Sequence, residues 1–392
     1  MPYDFNTLVD RSRSGSVKYE LMLNADPETP PGIIPLSIGD MELKTPPEIV
    51  EGLKQYLDTT ILGYTSMTQA DKDAVINWFS KRHDWEIRPE WILGIDGVVP
   101  ALYTAVEAYT NPGDGVIFMP PVYRPLYHAI HHTKRTPVEV PLVIENNLYA
   151  MDFDALETAA SRPDVRLLLF CSPHNPVARV WTEEELLRLG EICLRHNVIV
   201  VSDEIHMDFV MPGHKHRVFP DIHNNFPGIS VVCTAPSKTF NIAGLQVSNI
   251  IIPDPKLRKT FRRQLERGGR FGPNQLGLAA CRIAYEKGAA WLEAALALIH
   301  QNANTVSDFM TKHYPEIHVL PHEGTYFIWL DFRQWNLPPQ DLERFMIHNA
   351  RLFLDEGPLF GPQGNGFERI NLACPSWLLQ DSLTRLLKAG RP

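Results

Sequence analysis

The sequence predicts an α/β protein: a large unit on a mostly parallel central sheet, followed by a smaller α+β unit. Three observations carry this. From about residue 46 to 285, short apolar runs alternate with segments of near-3.6 apolar spacing, as in successive strand–helix units. One run, Leu167-Leu168-Leu169-Phe170-Cys171, is apolar without a break, as expected of a parallel strand covered on both faces. From about Tyr285 the pattern changes to a long alanine- and leucine-rich stretch, then to an alternating strand. A chain of 392 residues exceeds one compact core. The expected division is an N-terminal arm over 1–45 that supplies part of the small domain, a large domain over 46–285 and a small domain over 286–392.

Composition narrows the function classes. Hydrophobic content of 44% and charged content of 21% are those of an ordinary globular protein. A net charge of −9 argues against a nucleic-acid surface or a polybasic membrane contact. No stretch approaches the ~20 apolar residues that cross a bilayer. The five cysteines are scattered with no Cys-x-x-Cys pair, which fits buried reduced thiols better than a disulfide framework or a zinc site. Residues 1–20 show no apolar core of a signal peptide, so the cytoplasm is the expected compartment.

Taken in order, the arm is proline-rich (Pro27, Pro30, Pro31, Pro35) and reads as irregular, ordered only by lying on another surface. After Pro46 a helix is expected, with Ile49, Val50, Leu53, Tyr56 and Leu57 on one face, and Gly63-Tyr64-Thr65 follows as a loop. Residues 91–95 read as a strand, Asp96-Gly97-Val98-Val99-Pro100 as a turn, and a helix begins behind it. Strand, glycine turn and helix N-terminus make an anion site on the amides of Val98 and Val99, although many α/β proteins have this arrangement and bind nothing. The strand at 114–119 leads to Tyr123, an aromatic placed either to stack on a flat heterocycle or to pack in the core. After residues 167–171, Ser172-Pro173-His174-Asn175-Pro176 is a loop in which two prolines aim one amide. Thr182 and Glu185 form a capping box for the next helix.

The run 198–202 ends in Asp203-Glu204-Ile205-His206. A carboxylate at the carboxyl end of a buried strand sits where α/β sheets place ligands, and opposite a ligand cation it forms a charge-assisted pair. His206 is a candidate contact to the same ligand, and Glu204 points to the other face. His214 and His216 lie nearby, but one loop offers too few converging ligands, and no metal is expected.

Val231-Val232-Cys233-Thr234-Ala235-Pro236-Ser237-Lys238 places one lysine after an apolar run and before an Asn-x-x-Gly turn. Burial disfavours the ammonium, lowers its pKa and leaves an amine able to form a Schiff base with an aldehyde cofactor. Thr234 and Ser237 beside it are candidate cofactor contacts. Farther on, Gly364-x-Gly366-Phe367-Glu368-Arg369 brings an arginine into a strand behind a glycine loop, where it can bind a carboxylate by two parallel hydrogen bonds.

With these stretches, the chain resembles pyridoxal phosphate (PLP) enzymes of the aspartate aminotransferase fold, and within them the cystathionine β-lyase-like C–S lyases. The likeness spans the chain and includes Glu323-Gly324-Thr325-Tyr326 and Trp329-Leu330-Asp331. It implies PLP on Lys238, its phosphate on Val98 and Val99, its ring stacked on Tyr123, its phenolic oxygen on Asn175, and Asp203 at the ring nitrogen. It implies a substrate carboxylate on Arg369, Asn175 and the Gly39 N–H, and a homodimer in which Tyr64 reaches the partner's cofactor phosphate, so that active sites are shared. The expected reaction is β-elimination from a thioether amino acid; amino-acid transamination and a PLP-binding regulator are the alternatives. Departures from the family pattern are Glu42 and Leu43 after Asp40-Met41, Ser172 for an asparagine, Ser376 for an arginine, and Gln246 where aspartate aminotransferases have a phosphate-binding arginine. The last favours the lyase branch.

Overall fold

The computed structural model describes residues 3–270 and 272–392. Its strands in chain order are β1 (Ile92–Ile95), β2 (Gly115–Phe118), β3 (Thr136–Glu139), β4 (Val143–Glu145), β5 (Leu148–Ala150), β6 (Val165–Cys171), β7 (Ile199–Asp203), β8 (Ser230–Thr234), β9 (Ser248–Ile251), β10 (His318–Val319), β11 (Phe327–Asp331), β12 (Asp355–Glu356) and β13 (Phe367–Asn371). The central sheet runs β1-β9-β8-β7-β6-β2-β3. Strands β8, β7, β6, β2 and β3 pair in parallel, while β9 is antiparallel to both neighbours, giving the mostly parallel sheet expected.

The continuous apolar runs are explained by burial on both faces: β7 and β8 are almost wholly buried, and β6 exposes only Arg166. Helix Val98–Tyr109 lays Val98, Ala101, Leu102, Ala105 and Val106 against one face, in a cluster with Leu167, Leu169, Val201 and Val231. Helix Glu183–Arg195 covers the other face and starts with the expected Thr182–Glu185 capping box. Register then decides where the chemistry falls. Cys171 pairs with Asp203 and Asp203 with Cys233, so the carboxyl ends of β6, β7 and β8 lie side by side. The loops carrying Asn175, Asp203 and Lys238 all leave from that edge.

The second sheet, β10-β11-β13-β12, is antiparallel. It shares an apolar body with helices Ala289–His313 and Ser376–Ala389, and the same cluster reaches Val232 and Ile251 of the central sheet. The change of pattern near 285 is therefore a change of architecture within a continuous core.

The arm differs from expectation. It contains helix Val17–Ala25, whose Tyr19 and Met22 pack on Phe353. Lys18, on the same helix, is buried and donates to Asp40 O (2.9 Å) and Glu42 Oε1 (3.1 Å). A helix that buries a lysine in an ion pair leaves no apolar period to read. Leu36 joins the small sheet by backbone hydrogen bonds to Phe353 and Asn371. Among the described residues no helix is long and apolar enough to cross a membrane, and all five cysteines are free and buried.

Candidate active site

At the carboxyl edge of β6, β7 and β8 lies a cavity of about 440 Å³, and ten of the twelve residues singled out from the sequence line it. A larger recess of about 640 Å³ near Trp78 and Lys215 is elsewhere. Its buried carboxylate, Asp208, is already engaged by His83, Trp78 and Thr239.

Lys238 sits in the short helix Pro236–Thr239, opened by a proline directly after β8. The Thr239–Asp208 hydrogen bond (2.7 Å) anchors that helix. Its Nζ donates to Gly39 O at 2.6 Å, and Tyr326 Oη donates to the same oxygen at 2.8 Å. A Cβ on Gly39 would stand 2.7 Å from Nζ, so the amine's approach requires glycine there. Burial brings the Lys238 pKa from 10.5 down to about 8; Arg369 and Lys18 push the same way, while Asp40 and Asp203 oppose.

The Gly39 turn is clamped from both sides. Ile38, a β-branched residue, holds φ +59°, a left-handed conformation that surrounding bonds must enforce. Those bonds are Ile38 N–H to Asp355 Oδ2 (2.9 Å) and Asn371 Nδ2 to the carbonyls of Ile38 and Asp40 (2.8 Å each). The Asn-x-x-Gly turn contributes Asn241, whose side chain bonds Met41 and Leu43 backbone groups.

Asp203 closes β7, and its carboxylate accepts only the Ile205 N–H (3.2 Å) among the described residues; burial pushes its pKa from 3.8 up to about 7. His206 lies edge-on to Tyr326 and Phe327, its Nδ1 buried with no partner among the described residues. Burial first, then Lys238 and Arg369, hold its pKa well below 6.5, so the imidazole is neutral. Val98 and Val99 open helix Val98–Tyr109 behind Gly97, with no side-chain cap. Their N–H groups precede the first intrahelical bond, both residues line the cavity, and Pro100 has no N–H of its own. Tyr123 and Ser237 complete this side, and burial raises the Tyr123 pKa.

Arg369 leaves β13 into the cavity between the rings of Phe327 (3.7 Å) and Phe360 (4.7 Å). Its Nη1 donates to Asn175 Oδ1 (2.6 Å), and its Nε and Nη2 to Asp355 Oδ2 (3.2 and 2.5 Å). Asn175 is thereby aimed by its contact with Arg369, in addition to the prolines around it.

Two of the residues read from the sequence stand apart. Thr234 shares the face of Val232, and its hydroxyl donates to Met207 Sδ at 3.4 Å, away from the cavity. Tyr64 is fully exposed and clear of the cavity of its own chain. A third, Gly39, lines the cavity, and its carbonyl is bonded to Lys238 and Tyr326. Sequence reasoning missed Asp355, Tyr326 and Phe360. Tyr326 lay in a quoted motif, while Asp355 carries no local signal and is found only through its cross-strand pairing with Arg369.

A family model described as aminotransferase class I and II matches residues 31–376. The cystathionine beta-lyase PatB of Bacillus subtilis is 44% identical over 91% of this chain and 92% of its own. The protein MalY of Escherichia coli is 31% identical over 99% of both chains. Among solved structures, cystalysin from Treponema denticola, which contains pyridoxal 5'-phosphate, superposes with a TM-score of 0.98 at 45% identity over 99% of both chains. A matched stretch covering most of the chain, and relatives aligned nearly end to end, place this protein in the class I and II aminotransferase family.

Proposed function

We propose that the protein is a PLP-dependent C–S β-lyase that takes a β-thioether amino acid of the cystathionine kind and, with water, releases a thiol, pyruvate and ammonia. The observation that carries this reading is a single cavity holding a lysine amine of lowered pKa, a buried carboxyl and an arginine with donors to spare. The cavity's donor set suits PLP. Asp203 is a buried carboxyl without a cation, His206 Nδ1 lacks a partner, and the Val98 and Val99 amides lie open at a helix start.

In this reading Lys238 carries the cofactor, Val98, Val99 and Ser237 hold its phosphate, Tyr123 its ring face, Asn175 and His206 its phenolic oxygen, and Asp203 its ring nitrogen. When bound, PLP supplies an aldehyde carbon for amine capture and a ring that takes up electrons released at the substrate Cα. Asp203 would hold a protonated ring nitrogen, a cationic partner that would favour its ionised form. Arg369 binds the substrate carboxylate and fixes which Cα bond faces Lys238. Lys238 Nζ would accept the Cα proton, and its pKa near 8 leaves roughly a tenth of it neutral near pH 7, far more than an ordinary lysine has. The Gly39 carbonyl is where the freed amine rests between these events. Thr234 acts from outside the cavity, as support for the strand.

The working unit in this proposal is a homodimer with shared active sites. Tyr64, Ile61 and Leu62 are exposed by 113%, 88% and 65%, an apolar group that a partner subunit would cover while receiving Tyr64 at its cofactor phosphate. Residues 46–285 form the cofactor-holding domain, and 286–392 with the arm 1–45 form the substrate-side domain. Five unpaired buried thiols support a reducing compartment, the cytoplasm.

One pair of assays tests the reaction: cystathionine alone, and amino acids with 2-oxoglutarate. Thiol and pyruvate in the first support the lyase. A new amino acid in the second, without thiol in the first, replaces it with an aminotransferase, and silence in both replaces it with a PLP-binding regulator.

A further inference from the structure

Beside the reaction cavity, and sharing Ile38, Asp355 and Leu359 with it, lies a second cavity of about 260 Å³. Antiparallel pairing sets Asp355 opposite Arg369 and Glu356 opposite Glu368. Because side chains alternate along a strand, the first pair faces the reaction cavity and the second faces away from it. The first pair is an ion pair; the second places two like charges directly across from each other, which destabilises a sheet. Glu368 is only 2% exposed, lines the second cavity, and has no hydrogen bond or ion pair to its carboxyl among the described residues. A buried acid without a donor is costly, and such a group asks for an explanation.

The charged groups around it all carry the same sign. Glu356 faces it from β12, Glu343 from helix Pro339–Arg344, and Asp355 acts on it from the opposite face of β12. On β11 its neighbour is Leu330, and helix Val17–Ala25 contributes Leu21 and Met22. Arg124 acts on Glu356 without bridging to it. Burial and these carboxylates raise the Glu368 pKa well above 4.5, which favours the protonated acid. The rest of the wall is apolar, with Met22, Met346 and Phe353. No group of three metal-type side chains comes together among the described residues, so the complement is larger and softer than a metal ion.

We propose that this cavity binds a small organic cation, an alkyl-guanidinium or alkyl-ammonium, with its charged head between Glu356 and Glu368 and its aliphatic body on Met22, Met346 and Phe353. Binding releases the Glu368 proton to solvent, leaving a carboxylate paired with the ligand cation. The occupant then sits one residue from Asp355, which holds Arg369.

The test is calorimetry of the PLP-loaded enzyme with n-butylguanidinium chloride, which does not condense with the cofactor aldehyde, in two buffers of different ionisation heat near pH 7. The expected result is saturable binding at one site per chain with release of close to one proton. Glu368→Gln should weaken affinity by about tenfold or more and abolish proton release, while kcat on a β-thioether substrate is unchanged. Should that variant fail to fold, Glu356→Gln carries the test: it should weaken binding while keeping proton release. No saturable binding in the millimolar range, or full affinity in whichever variant folds, overturns the proposal.

Discussion

Replacing Arg369 by lysine keeps the charge and removes the plane that carries it. A guanidinium has five N–H donors. Three are engaged: one of Nη1 on Asn175 Oδ1, and Nε with one of Nη2 on Asp355 Oδ2. One donor remains on each terminal nitrogen for a substrate carboxylate. Phe327 and Phe360, at 3.7 and 4.7 Å, hold the plane in that attitude. A lysine ammonium has three donors on one atom, so satisfying Asn175 and Asp355 leaves one. The substrate then loses one charge-assisted hydrogen bond, worth about 1.5–3 kcal/mol, which is roughly ten- to a hundredfold in KM. Bound PLP, read from its visible absorbance, should be unchanged, because the arginine faces substrate. Initial rates with L-cystathionine over a range of concentrations measure the effect, expected mainly in KM with kcat less altered. A KM for Arg369→Lys within about twofold of wild type would sink the argument. The carboxylate would then bind elsewhere, and Arg369 would serve only to pair with Asp355.

Four further outcomes follow from the same geometry. Capture of PLP by the cofactor-free protein should accelerate with pH and level off above about 8, since only neutral Nζ attacks; a rate still climbing toward 10.5 would mean Lys238 is not desolvated. Asp203 has a folded pKa near 7 against 3.8, so it favours the fold at low pH, and that contribution is lost as pH rises from about 4 through 7. Asp203→Asn should therefore raise the Tm of the cofactor-free protein at pH 8 but not at pH 4, while lowering lyase turnover by roughly a hundredfold or more; an unchanged Tm at pH 8 would contradict the burial argument. Tyr64→Phe should weaken PLP retention without changing Tm, and a fully active monomer in sedimentation would remove the shared site. Ser376→Arg should leave KM unchanged, because Ser376 opens the last helix and donates to Asn302 at 2.7 Å, outside the cavity; the lost bond should cost about 1 kcal/mol in denaturant unfolding.

The parts of the site legible in the sequence are those set by strand ends. Lys238, Asp203 and Asn175 each follow a run such as Leu167-Leu168-Leu169-Phe170-Cys171, whose unbroken apolarity marks a covered parallel strand, and the carboxyl ends of such strands collect ligands. Thr234 shows the limit of that inference. It sits at the correct strand end, but side-chain alternation gives it the face of Val232, and its hydroxyl meets Met207. Helix Val17–Ala25 stayed hidden for another reason: part of what it buries is charge, with Lys18 on Glu42 and Asp40, and no hydrophobic period reports an ion pair. Gly39 was legible as a position, but the bonds its carbonyl makes to Lys238 and Tyr326 were not. The left-handed Ile38 before it turns the Gly39 carbonyl toward Lys238, and that conformation is imposed by Asp355 and Asn371, more than three hundred residues away.

Asp355 draws these cases together, because its role exists only in the register of β12 on β13. One step along both strands separates Asp355–Arg369 from Glu356–Glu368. The first couple neutralises itself, steadies the substrate arginine and strains Ile38 into place. The second leaves two acids face to face on the other side of the same ribbon. A slip of one residue in that pairing would exchange the faces, putting Glu368 toward the reaction cavity and Arg369 among the acids. The short edge strand is held against this by Arg369 itself: its side chain reaches both Asp355 on its own sheet and Asn175 beyond it. Substrate recognition and strand register thus rest on the same guanidinium. Arg369→Ala should therefore lose more than substrate affinity. Hydrogen exchange at the backbone of residues 355–356 should quicken in that variant, and remain near wild type in Arg369→Lys, which can still reach Asp355.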